Sequence, residues 1–178
     1  EVWKVARDEK SNWSAPHIWE NKKRTEIVVA GSGRTVSYDL AGKELWWWRR
    51  GMSSITIATP YSSSDLLYVS SGYVGDKKKP IYAIRPGAQG DISIKPFKKS
   101  DNDYVAWCNW EAAPYNPSTL LYQGQLYSLL DRGWLRDLDP KSGEFVYERK
   151  RLPPGAGYTV SPWAYNGKIF CLNEDGET

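Results

Sequence analysis

The feature that most limits the folds open to this chain is a repeat of about 43 residues. An aromatic residue closing a short apolar stretch recurs at Trp3, Trp46, Trp107 and Tyr147, at intervals of 43, 61 and 40. A second marker, a small residue or proline opening an apolar strand, falls at Pro16, Pro60, Thr119 and Pro162, at intervals of 44, 59 and 43. Both series place the lengthening in the same unit. A third marker holds within the units: Tyr68, Tyr127 and Phe170, which end Leu66-Leu67-Tyr68, Gln125-Leu126-Tyr127 and Lys168-Ile169-Phe170, each lie 8 residues after the second marker. A fixed period of this size means an array of like units, each too small to bury its apolar faces alone.

No window carries a sustained 3.6-residue apolar period, and each unit holds four short strand candidates separated by turn residues. In the third unit the strands fall at roughly 118–122, 125–130, 134–138 and 144–149, joined by Gln123-Gly124, Arg132-Gly133 and Asp139-Pro140-Lys141-Ser142-Gly143. Four antiparallel strands per 40-odd residues is the pattern of a β-propeller blade, whereas a β-sandwich does not predict matching intervals. The expectation is therefore an all-β chain: a partial ring with a blade end at 1–5, whole blades at about 12–49, 53–110 and 115–151, and a blade start at 158–178. Propellers close with about four to eight blades, so this arc belongs to a larger ring.

The hairpin Tyr38-Asp39-Leu40-Ala41-Gly42-Lys43-Glu44-Leu45-Trp46 shows why the units fold this way. Asp39 can bond to nearby backbone N–H groups and Gly42 accepts a positive φ, so the pair makes the turn. The long unit carries two insertions, Gly72 to Pro80 and about 87–103, expected on opposite faces of the disc as polar, mobile loops. With 10 Trp and 12 Tyr against 3 Phe, the aromatic residues suit half-buried pleated surfaces with a polar tip at the edge. A net charge of +3 with basic residues spread along the chain demands no nucleic-acid partner, and Lys77-Lys78-Lys79 and Lys98-Lys99 are expected as solvated loops. Cys108 and Cys171 stand far apart with no CxxC spacing, so buried thiols are expected rather than a zinc site or a disulfide framework. No apolar run approaches the ~18 residues of a membrane span, and no signal-peptide pattern occurs in this segment.

The run from Asp39 to Trp46 resembles the docking motif of the PQQ-like, or quinoprotein-type, β-propeller repeat, Ala-x-Asp-x-x-Thr-Gly-Lys-x-x-Trp. Asp39, Gly42, Lys43 and Trp46 match it, with Ser37 at the Ala position and Ala41 at the Thr position. Leu138 to Glu144 resembles a second copy with one extra residue, and Tyr82-Ala83-Ile84-Arg85 a degraded third with Arg in place of Asp. The resemblance implies that Trp46, and by position Trp3, Trp107 and Tyr147, pack between neighbouring blades, with Asp39, Gly42, Asp139 and Gly143 as their docking turns. The family includes periplasmic quinoprotein dehydrogenases, the BamB lipoprotein and many secreted propellers. It implies a periplasmic or extracellular location and a protein or peptide partner.

Catalytic chemistry finds little footing in the residues. A quinone site needs an aromatic plane, Arg or Lys at its carbonyls and oxygen ligands for Ca²⁺. Trp163, Trp46 and Trp107 could stack a ring, but packing between blades or core filling accounts for them better, and no adjacent cysteine pair is present. His17 is the only histidine, GxSxG is absent, and Gly31-Ser32-Gly33 lacks a following GK[ST] and reads as a hairpin turn. In Trp46-Trp47-Trp48 two rings should face one side of a strand and one the other. Asp131-Arg132 reads as a turn capped by its own Asp. Ser14, Thr59, Ser118 and Ser161, at the starts of the innermost strands with Tyr115 and Asn116 nearby, are the candidate lining of the axial channel. The expected function is a non-catalytic binding or scaffolding domain acting through its disc faces and channel, with no cofactor; the alternative is part of a PQQ- and Ca²⁺-dependent alcohol or sugar dehydrogenase.

Overall fold

The computed structural model describes residues 1–9, 12–63 and 65–178. All of its regular structure is strand. The first sheet contains β1 (His17–Glu20), β2 (Thr25–Val29), β3 (Arg34–Tyr38) and β4 (Glu44–Arg49); the second contains β5 (Tyr61–Ser62), β6 (Leu67–Ser70), β7 (Ile81–Ile84) and β9 (Val105–Asn109). The third is β10 (Leu120–Tyr122), β11 (Gln125–Leu130), β12 (Trp134–Leu138) and β13 (Phe145–Arg151), and β14 (Trp163–Tyr165) pairs with β15 (Lys168–Phe170). Within each four-stranded sheet the strands run antiparallel in chain order. A β-bulge shifts the register where each third strand meets its fourth, between Ser37 and Tyr38, Ala83 and Ile84, and Asp137 and Leu138. The fold is a partial β-propeller.

Burial follows from position in the stack. The middle strands β6 and β7 are buried at every residue because a sheet lies on each side, and so lose the in–out alternation of a one-sided sheet. By contrast, β13 runs from half-buried to exposed along its length. One core cluster joins the first two sheets through Trp19, Val28, Trp46, Trp48, Leu67 and Ile84, and a second joins the next two through Tyr68, Ile81, Trp107, Leu126 and Leu138. Aromatic rings carry the first interface outward: Trp46 stacks on Trp48 (5.6 Å, 5°), Trp48 on Tyr82 (4.6 Å), and Tyr82 meets Trp110 edge-on (5.8 Å, 69°). As alternation requires, Trp47 points the other way from Trp46 and Trp48.

The segment 1–5 is paired in no ladder among the described residues, although Trp3 is held against the Asp39–Gly42 turn. The insertions are not free loops. In the longer one, β8 (Gly90–Asp91) adds in parallel to the outer edge of β4, with Trp46 opposite Gly90 and Trp47 opposite Asp91. Ile92 N–H continues the pairing to Trp47 O at 2.9 Å, and Ala88 and Ile92 are fully buried. Returning, Lys99 O accepts from Cys108 N at 2.6 Å on the edge of β9. This strap covers unpaired backbone that would otherwise be open at both edges. The shorter insertion is tied down by Ser54, whose hydroxyl donates to Asp76 Oδ2 at 2.7 Å, and by Lys79, whose N–H donates to Trp110 O at 2.8 Å.

Candidate functional site

The interfaces between successive sheets are built from equivalent cross-strand rows: Val28–Ser37–Trp46, Tyr68–Ala83–Trp107 and Tyr127–Asp137–Tyr147. In the second row Trp107 Nε1 and Tyr68 Oη both donate to Pro140 O, at 3.0 and 3.1 Å, in the turn of the next sheet. The Trp107 ring lies against Gly143, whose φ of 72° and lack of a Cβ admit it. Trp3 repeats the arrangement: its Nε1 donates to Leu40 O at 2.9 Å, and a Cβ on Gly42 would stand 2.8 Å from its ring. Asp39 Oδ1 accepts from Ala41 and Lys43 N–H, both at 2.9 Å, and Asp139 Oδ1 from Lys141 and Ser142 N–H at 2.9 and 2.7 Å. These backbone donors hold the Asp139 carboxyl below its usual pKa.

Trp46 departs from this pattern. It is fully buried between the sheets, but its Nε1 donates to Glu26 Oε2 of its own sheet at 2.6 Å. Glu26 is itself fully buried and has four donors: Trp46, Ser37 Oγ at 2.6 Å, Arg24 Nε at 3.0 Å and Asn21 Nδ2 at 3.1 Å. Arg24 Nη2 then donates to Ala88 O of the strap at 2.6 Å. The network thus links the strap to the first interface. Sequence reasoning missed it, yet a signal was there: in Thr25-Glu26-Ile27-Val28-Val29 alternation puts Glu26 on the inward face with Val28, and a buried carboxylate needs partners. Tyr147 is half-buried on a cavity of about 840 Å³ with Tyr127, Tyr158 and Phe170. Beside it Asp137 is buried with Oδ1 unpartnered among the described residues, and burial raises its pKa.

The proposed channel residues carry bonds from sheet to sheet. Ser14 Oγ donates to Ala58 O at 2.9 Å, Thr59 N–H to Ser118 Oγ at 3.0 Å, and Ser118 N–H to Ser161 Oγ at 2.9 Å. Asp131 does not cap its own turn; it accepts from Tyr115 N–H (3.2 Å) and from Asn116 N–H and Nδ2 (3.1 and 2.9 Å), fixing the loop that enters the third sheet. His17 Nε2 meets Ser62 Oγ at 2.8 Å across the first interface. Trp163 stacks on Phe170 (5.6 Å, 10°) and is 42% exposed. Cys108 is buried and Cys171 half-buried; both are free thiols, and burial pushes Cys171 up to about 11.

The perimeter differs between sheets. The outer edges of β4 and β9 are met by the strap, whereas no backbone group among the described residues pairs with the outer edge of the seven-residue β13. Its exposed end carries Arg149, Lys150 and Arg151 against Glu148. Among the described residues no helix is long and apolar enough to cross a membrane.

No protein-family model and no curated protein matches the sequence. Solved structures do match. BamB from Moraxella catarrhalis superposes with a TM-score of 0.62 at 14% identity, over 98% of this chain and 46% of BamB. The computationally designed Ika4 protein gives 0.55 at 10% identity, over 95% and 91% of the two chains. The quinohemoprotein alcohol dehydrogenase from Comamonas testosteroni gives 0.50 at 15% identity, over 83% of this chain and 30% of the enzyme. The chain thus spans about half the length of that BamB. Its fold is that of the BamB and PQQ-like β-propellers.

Proposed function

We propose that this chain is a non-catalytic binding or scaffolding propeller domain of a periplasmic or extracellular protein, and that it takes an extended segment of a protein partner along the outer edge of β13. The observation that carries the reading is the strap: β8 already adds to the equivalent edge of the first sheet, so the fold accommodates a strand there. Strand addition draws affinity from backbone bonds and specificity from alternate side chains. Four to six ladder bonds at ~1 kcal/mol each correspond to a Kd between about 1 mM and tens of micromolar, a transient interaction. The three cations against one carboxylate near the end of β13 favour an acidic partner segment.

The test is an anisotropy titration with a labelled acidic, β-forming decapeptide and a twin N-methylated at alternate amides, which keeps the charge and removes half the ladder bonds. Binding by the first and at least ~10-fold weaker binding by the twin is expected. Equal affinities would reduce the interaction to charge attraction. A second reading, part of a quinoprotein dehydrogenase, rests on the fold likeness to the Comamonas enzyme. Titration with PQQ and Ca²⁺ decides it: stoichiometric retention of the quinone with dye-linked alcohol oxidation would replace the binding reading.

A further inference from the structure

Near the outer end of the first sheet a cavity of about 400 Å³ collects four guanidinium groups, and three local rules are broken around it. Arg34 and Arg49 are directly opposite one another in the β3–β4 ladder, a like-charge pairing that sheets disfavour. Trp47 lies between them, its ring 4.8 Å from the Arg34 guanidinium carbon and 5.0 Å from that of Arg49. Arg50 follows with φ 57°, a left-handed conformation that costs an arginine and spares a glycine. The Nε of Arg34 is buried without a hydrogen-bond partner among the described residues. Breaches of local preference concentrated in one place are the mark of a functional site.

The acids nearby do not neutralise the group. Glu44 is engaged by Arg34, which donates from Nη1 at 2.9 Å and Nη2 at 2.6 Å. Glu9 is held by backbone, accepting from Gly33 N–H at 3.0 Å and Arg34 N–H at 2.9 Å. Arg7 donates to Arg34 O at 2.9 Å, and Asp8 completes the lining. The guanidinium groups of Arg49 and Arg50 have no carboxylate partner among the described residues. Arg50 also lines an adjoining cavity of about 590 Å³ with Lys77 and Lys78. Asp76 is the acid on that side, and it is bonded to Ser54. The lysine run in the shorter insertion is thereby part of a cationic trough centred on Arg50.

We infer that this trough is a phosphate-binding site, in which the forked donors of Arg49 and Arg50 take one phosphate group and Lys77 and Lys78 a second. Guanidinium forks match phosphate oxygens in pairs, and lysine supplies point charge beside them. Two neighbouring phosphates are found in a soluble diphosphate and on an anionic lipid surface, so both sources are tested.

The experiment is calorimetric titration of the chain with inorganic pyrophosphate, alongside flotation with vesicles of phosphatidylcholine alone or with phosphatidylglycerol added. The comparison variants are R49Q/R50Q, K77Q/K78Q and, as a distant charge control at exposed lysines, K22Q/K168Q. Saturable binding is expected, lost by at least ~10-fold in R49Q/R50Q, weakened less in K77Q/K78Q and unchanged in the control. Pyrophosphate binding without flotation identifies a soluble ligand; flotation only with phosphatidylglycerol identifies a headgroup. Absence of both, or equal loss in the control, overturns the site. The variants' melting midpoints without ligand separate ligand binding from folding: R49Q/R50Q should melt close to the parent, because relief of the repulsion between Arg34 and Arg49 offsets the lost stacking of Arg49 on Trp47. A clear fall would make the arginines structural and overturn the inference.

Discussion

Replacing Gly143 with alanine tests whether Trp107 docking holds the second and third sheets together. Gly143 has φ 72°, and the atoms that an added Cβ would meet all belong to the Trp107 ring, which is 1% exposed. Two costs follow: the left-handed conformation, about 1–2 kcal/mol for a residue with a Cβ, and overpacking against a ring fixed by its bond to Pro140 O, about 1–3 kcal/mol. Gly124 separates them, since it has φ 77° in the β10–β11 turn of the same sheet and nothing within 4 Å of its notional Cβ. Gly124→Ala therefore bears only the first cost. For a chain of this size 1 kcal/mol moves the thermal midpoint by about 2–4 °C, so Gly143→Ala should lower it by ~4–20 °C and Gly124→Ala by ~2–8 °C. In parallel scanning calorimetry runs the Gly143 variant should melt several degrees below the Gly124 variant. Equal midpoints would refute the argument, because the Trp107 contact would then add nothing to the backbone cost.

Three further outcomes are expected. Glu26→Leu strands the donors of Trp46, Ser37 and Arg24 in a dry interface and should cost about 3–5 kcal/mol in chemical denaturation, more than Glu26→Gln. Asp137→Asn should raise the melting midpoint at pH 7: burial lifts the folded pKa above the ordinary 3.8, so stability is fully present below that value and lost as pH rises through the folded pKa. The variant's advantage should therefore vanish in melts near pH 3.5, and an advantage that persists there would contradict the assignment. The Ile92 amide, bonded to Trp47 O, should exchange with deuterium as slowly as core-strand amides, whereas a mobile insertion would exchange within seconds.

The propeller was legible because its signals repeat. Aromatic markers, turn glycines and strand intervals reinforce one another across units, and the third sheet falls within two residues of its expected strands. The strap was hidden by its brevity: Asp91-Ile92-Ser93-Ile94 alternates as a strand should, but a two-residue parallel addition to another unit's edge leaves no longer period to detect. The Glu26 network was missed for a related reason, since its members Asn21, Arg24, Ser37, Trp46 and Ala88 are brought together only by the fold. Ser14, Thr59, Ser118 and Ser161 recur at the strand starts, but sequence carries no sign of whether a hydroxyl meets solvent or the next sheet. The cationic trough also joins distant segments: Arg7, the β3–β4 ends and the lysine run.

The most direct test of strand addition is site-resolved amide exchange of the chain with and without the acidic β-forming peptide. New protection is expected along residues 145–151 of β13, with little change at β4 and β9 and weaker protection from the N-methylated twin at the same concentration. Protection at the inner strand starts, or none along β13 with peptide bound, would contradict strand addition.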